Sequence, residues 1–125
     1  MKLWKWTLGL LVVGFLVMDA FGATVSKIVT CYDVQGRQPQ GETQEFNGVK
    51  KAYCFVQVKG AKGESVKLVW TYGGHGVQLE TSFKVGTDNW RGYGTKNIEG
   101  LDGKWQVKLI DATGKSLGET TFTVK

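Results

Sequence analysis

The tightest constraint on this chain is an alternation. Between Val66 and Val85 apolar and polar residues take turns along two short runs, separated by Gly73-Gly74-His75-Gly76. Val66, Leu68, Trp70 and Tyr72 fall on one side of the outgoing run, and Val77, Leu79, Phe83 and Val85 on one side of the returning one. Residues two apart share a face only in an extended strand, so the pattern predicts a half-buried β-hairpin. Gln78, Glu80, Ser82 and Lys84 take its opposite face. The glycines give the reversal a backbone free to adopt positive φ.

The same punctuation recurs along the chain. Thr24 to Tyr32 reads as a first strand, and Lys51 to Val58 as a central one, because Cys54, Val56 and Val58 lie on one face and Tyr53 and Phe55 on the other. In Trp90 to Thr95, Gly92 and Gly94 interrupt the pattern and predict a bulge or an edge. Trp105, Val107 and Leu109 alternate with Lys104, Gln106 and Lys108, and Leu117 to Val124 forms the last strand. Asp33 to Gly48, with Gly36, Pro39, Gly41 and Asn47, reads as a long loop with a short extended piece around Gln44 to Phe46. Eighteen glycines against one proline fit many turns joining short strands. The expected fold is therefore all-β: an immunoglobulin-like, two-sheet antiparallel sandwich of about seven strands. A small closed barrel is the alternative. Trp70 and Trp105, on the apolar rows of their strands, are expected in its core.

The N-terminal segment belongs to a different class. Lys2 and Lys5 precede the uncharged apolar run Thr7 to Val17, and Ala20-Phe21-Gly22 places small residues where a signal peptidase reads. Residues 1–22 are read as a signal peptide and 23–125 as a single sandwich domain. An uncleaved anchor is the alternative, but Asp19 ends the apolar run short of the roughly 20 residues a spanning helix needs. The expected location is periplasmic or secreted, with no membrane span after cleavage. Without Lys2, Lys5 and Asp19 the chain keeps 14 basic and 10 acidic residues, net +4. The lysines are dispersed rather than clustered, which argues against nucleic acid and leaves an envelope protein, peptide or glycan as the expected partner. Export also makes a disulfide between the only two cysteines, Cys31 and Cys54, the natural reading, with free buried thiols as the alternative. Such a bridge would contribute about 3 kcal/mol.

No catalytic constellation assembles from the sequence. The ten acids of the mature chain lie mostly in turns and at outward positions, Asp102 and Asp111 beside glycine turns among them. The lone His75 sits in a glycine turn, and two thiols alone cannot complete a metal site, so neither metal nor cofactor is expected. The remaining chemistry is Trp90, Arg91, Tyr93 and Lys96, two aromatics and two cations within seven residues. They are the candidate binding residues, an aromatic platform flanked by hydrogen-bond donors. The competing reading is structural, with Trp90 packed inward. Trp90 and Tyr93 have opposite parity, so a regular strand separates them onto two faces.

Five groups of residues carry a resemblance. They are Cys31-x-x-Val34-x-x-Arg37-x-Pro39, Tyr53-Cys54-Phe55, Trp70-x-Tyr72, Trp90-Arg91-x-Tyr93-x-Thr95-Lys96, and Gly103-x-Trp105-x-Val107-x-Leu109-x-Asp111-x-x-Gly114-x-x-Leu117. In this order and spacing they resemble the family known as domain of unknown function 2914. The chain departs from it at Leu68, where the family often has histidine, and at Gly92 and Gly94, where a serine-rich stretch is common. The resemblance implies a small β-rich domain of exported bacterial proteins, with no assigned catalytic residues. The functional expectation is a non-catalytic binding or interaction module of the bacterial periplasm or cell surface. A glycan-directed envelope hydrolase, its carboxylates converging only in the fold, is the alternative.

Overall fold

The structure, a computed structural model, describes residues 22–125, so the signal-peptide expectation lies outside the described residues but for Gly22. Nine strands follow: β1 (Thr24–Gln35), β2 (Gln38–Glu42), β3 (Glu45–Phe46), β4 (Lys51–Lys59), β5 (Ser65–Tyr72), β6 (Val77–Lys84), β7 (Asn89–Asn97), β8 (Gly103–Asp111) and β9 (Ser116–Val124). They form a four-stranded sheet of order β2-β1-β4-β7 and a five-stranded sheet of order β3-β9-β8-β5-β6. The sheets do not close into a barrel. With β1, β4 and β7 in the places of strands A, B and E, and β5, β8 and β9 in those of C, F and G, the order is immunoglobulin-like. All pairings are antiparallel except that of the two-residue β3, which runs parallel to β9.

The two strands beyond the expected seven come from the stretch read as a loop. Asp33 to Glu42 is a hairpin, continuing β1 and returning as β2. Pro39 pairs with Val34 inside it. That is tolerated because β2 is an edge strand, where a missing N–H need leave no ladder bond unmade.

Between the sheets lie Cys54, Val56 and Val58 from one side and Leu68, Trp70, Trp105, Val107, Leu109 and Phe122 from the other. Trp70 and Trp105 are both buried, as their strand parity predicts. Trp105 Nε1 donates to the Leu101 carbonyl at 3.0 Å, whereas the buried Trp70 Nε1 has no partner. An unpaired donor costs about 1–3 kcal/mol, which the burial of so large a ring offsets.

One expected face is corrected. Val77, expected on the inward row of its strand, is 54% exposed. The β5–β6 pairing shifts register between Trp70 and Thr71, so Val77 pairs with the outward Thr71. A one-residue shift exchanges the two faces of a strand.

Candidate functional site

The outer face of the four-stranded sheet is built from odd-numbered rows. The register Val29↔Phe55, Cys31↔Tyr53, Phe55↔Tyr93, Gln57↔Arg91 and Tyr53↔Thr95 puts these residues on one side, facing away from the core. Yet Phe55 is only 2% exposed. Its cover is the β1–β2 hairpin. Past Cys31, β1 no longer pairs with β4 and continues with β2 alone. Val34, Gly36 and Arg37 from this hairpin line, with Phe55, Arg91 and Tyr93 of the outer face, Gly92 of the inward row and Phe83 from β6 of the other sheet, a cleft of about 440 Å³ at the β7 edge.

The turn that closes the hairpin, Gly36-Arg37, has φ of 58° and 59° at its two central residues. This is the positive-φ pair of a type I′ turn, and it matches strand twist. Glycine suits such a position, but an arginine held there is disfavoured. Arg37 is the only non-glycine residue with positive φ among those described. Its carbonyl lies 3.5 Å from an Arg91 guanidinium nitrogen, a long contact that ties the hairpin tip to β7.

The candidate residues of the Trp90 to Lys96 segment are divided between two faces. Arg91 and Tyr93 are exposed on the outer face, Tyr93 at 46%, with its ring 5.8 Å from that of Tyr53. Trp90 turns the other way, half-buried, with its ring 5.5 Å from Phe83. Lys96 also lies on the inward row. Its ammonium stands 5.7 Å over the Trp105 ring and donates to the Asn97 carbonyl at 2.8 Å.

Gly92 and Gly94 mark an edge strand, and the nine-residue β7 register against β4 runs without a bulge. They are needed on the inward row for space. A Cβ at Gly92 would meet the Trp90 ring at 2.4 Å, and one at Gly94 would meet Leu68 at 2.9 Å.

The disulfide expected between Cys31 and Cys54 is not formed; both are free, buried thiols. The register explains it. Cys54 lies opposite Thr30, and Cys31 opposite Tyr53. This one-residue offset aims the two sulfurs at opposite faces of the sheet, a direction no bridge can span without moving the backbone. Cys54 belongs to the core, and burial pushes its thiol pKa up, with the neighbouring Cys31 adding to the shift. Burial also raises Cys31, against which hydrogen bonds from the backbone of Asp33 and Gln40 act.

His75 ends a stack of rings at one end of the sandwich. Its ring lies 4.6 Å from Tyr72, which lies 4.5 Å from Trp105. The Tyr72 hydroxyl donates to the Asp102 carbonyl at 2.7 Å. Among the described residues no group of His, Cys, Asp and Glu has the arrangement of a metal site. Of the hairpin's share of the cleft, Arg37 stands out in the sequence only as a charged residue of a long loop, read with Glu42 as solvated, and Val34 is not a candidate at all. The signal for it was the spacing Val34-x-x-Arg37-x-Pro39, which reads as loop until the return strand is seen.

Fold and face together define a small immunoglobulin-like sandwich carrying a cleft on its four-stranded sheet. Residues 63–124 match the family described as "Protein of unknown function (DUF2914)", which supports the resemblance over the C-terminal half of the chain. The match covers β5 to β9 and begins after the hairpin and β4. No curated protein matches the chain. Among solved structures, the alkylpurine DNA glycosylase AlkC of Pseudomonas fluorescens, bound to DNA containing an abasic-site analogue, is similar with a TM-score of 0.53 and 12% identity. The alignment covers 82% of this chain but 30% of that one, and at this identity the likeness is one of fold alone.

Proposed function

We propose that this chain is a non-catalytic binding module of the bacterial periplasm or cell surface, and that it takes an envelope protein, peptide or glycan on the outer face of its four-stranded sheet. One observation carries the reading. Residues far apart in sequence, Val34 and Arg37 on the hairpin and Arg91 and Tyr93 on β7, converge on a single cleft with Phe55 as its floor. Two guanidinium groups beside aromatic rings supply directional donors and a stacking surface. The charged leader and apolar run of residues 1–22 support export.

Four of the acids have structural partners that account for them. Glu42 is ion-paired with Lys27 at 2.8 Å, and Asp33 accepts from Val34 N–H and Gln35 at 2.8 Å each. Glu45 and Asp111 are held below the usual carboxylate range, by Asn47 with Lys125 and by Thr113 with Lys115 respectively. A glycosidase general acid needs its pKa raised.

The test is a binding screen over peptidoglycan fragments, other glycans and envelope proteins, with duplex DNA as the control. Arg91→Ala and Tyr93→Ala are expected to weaken the ligand found by about tenfold each while leaving the fold intact. Full binding by the folded double variant would remove this face from the function.

A further inference from the structure

We infer that β7 engages its partner by strand addition, pairing its free edge with an extended, acidic segment of another protein. The inference rests on the binding role proposed above and names its mode and ligand class. In the immunoglobulin order A-B-E-D, strand D sits beside E. Here β7 holds the place of E, and among the described residues no strand occupies the place of D.

The hydrogen-bond phase shows which groups are free. Gly60 N–H donates to the Asp88 carbonyl at 2.9 Å, and Ile98 N–H to the Lys50 carbonyl at 2.8 Å. With an unbroken register between them, the even-numbered residues of β7 direct their backbone groups at β4. The odd-numbered residues direct theirs away. Arg91, Tyr93 and Thr95 therefore present N–H and C=O groups along an open edge, and the same three side chains stand on the outer face.

Edge strands are guarded by proline, bulges, shortness or charge, and of these β7 has charge alone, in Arg91 and the inward-row Lys96. In this fold β2 carries Pro39, β3 has two residues, and β6 meets its neighbour through a register shift. β7 has nine residues, no proline and no bulge.

Charge selects the occupant. Neither β4 nor β7 carries an acid, while Lys51, Lys59 and Arg91 lie on their outward rows and Arg37 lines the cleft beside them. One face of an added strand would stand next to Arg91 and favours Glu or Asp. Its other face would meet Trp90 and Phe83 and favours apolar residues. A second copy fits less well, because β7 against β7 sets two cationic edges side by side with no acid on either strand.

The probe is a labelled synthetic peptide in which glutamate alternates with valine. Titrated into the purified chain, it is expected to slow amide hydrogen exchange at Arg91, Tyr93 and Thr95. N-methylation of alternate peptide residues, or Thr95→Pro at an outward-pointing N–H, should abolish that protection. Arg91→Glu should weaken the peptide by about tenfold or more and favour a lysine-valine peptide instead. Equal binding by the N-methylated peptide, or unprotected edge amides in its complex, overturns strand addition. A concentration-dependent dimer removed by Thr95→Pro overturns the acidic partner in favour of a second copy. The two readings separate: a screened ligand lost in Arg91→Ala with the edge amides still exchanging freely would keep the face and discard the strand, whereas full binding by the folded Arg91→Ala, Tyr93→Ala double variant discards the face itself.

Discussion

The even and odd rows of β7 are made of alternate residues in one nine-residue strand, yet they answer to different physics. Trp90, Gly92, Gly94 and Lys96 face inward, where the two glycines make room for the Trp90 ring and for Leu68. Arg91, Tyr93 and Thr95 face outward, where they pack little and leave their backbone groups unpaired. Proximity in sequence suggested one patch of four residues. Strand parity makes it two interleaved sets, a packing row and a presenting row, and only the second carries backbone groups that β4 does not already pair.

The packing row predicts the largest effects. Trp90→Ala removes a half-buried indole and is expected to cost about 2–3 kcal/mol in denaturant unfolding. Gly92→Ala should cost about 1–3 kcal/mol, because the added Cβ lies where the ring lies. The two must then couple. With Trp90 already truncated, Gly92→Ala should become close to neutral, a coupling that a double-mutant cycle reads directly. Independent, additive costs would show that Gly92 is required for some reason other than this ring.

The cysteines repeat the contrast one strand over. Cys54 lies in the core without a polar partner, so Cys54→Ser should destabilise by about 1–3 kcal/mol through a buried hydroxyl. Cys31 receives hydrogen bonds from the Asp33 and Gln40 backbone, which a serine hydroxyl can accept, so Cys31→Ser should cost under about 1 kcal/mol. Reductant should leave the melting temperature unchanged, and alkylation of the unfolded chain should label both thiols. A reductant-sensitive transition would mean that β1 and β4 pair in another register.

How much of this was legible beforehand follows the same division. The inward rows of β5 and β8 declared themselves, because Leu68, Trp70, Trp105, Val107 and Leu109 keep strict alternation wherever one face is dry. The hairpin of Asp33 to Glu42 did not. It holds Pro39 and two positive-φ glycines, Gly36 and Gly41, and buries little, so the pattern that identifies a strand is absent and the turn formers dominate. The disulfide expectation failed on a matter of one residue: spacing along the chain carries no information on which face each sulfur takes, and only the β1–β4 register supplies it. The cleft was half visible. Arg91 and Tyr93 were identified, but their partners Val34 and Arg37 arrive from a segment whose path depends on where β1 parts from β4.

The presenting row should be almost silent in stability, unless an outward side chain ties down backbone. Asp111 is the control. Its carboxylate accepts from Thr113 N–H at 2.9 Å, Thr113 Oγ1 at 2.6 Å and Lys115 N–H at 2.9 Å, fixing the turn between β8 and β9. Asp111→Ala is expected to cost about 1 kcal/mol, whereas Arg91→Ala should stay within about 0.5 kcal/mol. The acid has a pH signature as well. Its folded pKa is depressed, chiefly by the Thr113 hydroxyl, so its contribution is present in full above the unfolded value of about 3.9 and is lost as pH falls through the folded pKa. Stability of the wild-type chain should therefore decline in that acid window more than that of Asp111→Ala, by a small margin because the group is largely exposed to solvent. If Arg91→Ala destabilises as much as Asp111→Ala, the guanidinium is holding the hairpin tip through the Arg37 carbonyl, and the outer row is part of the packing after all.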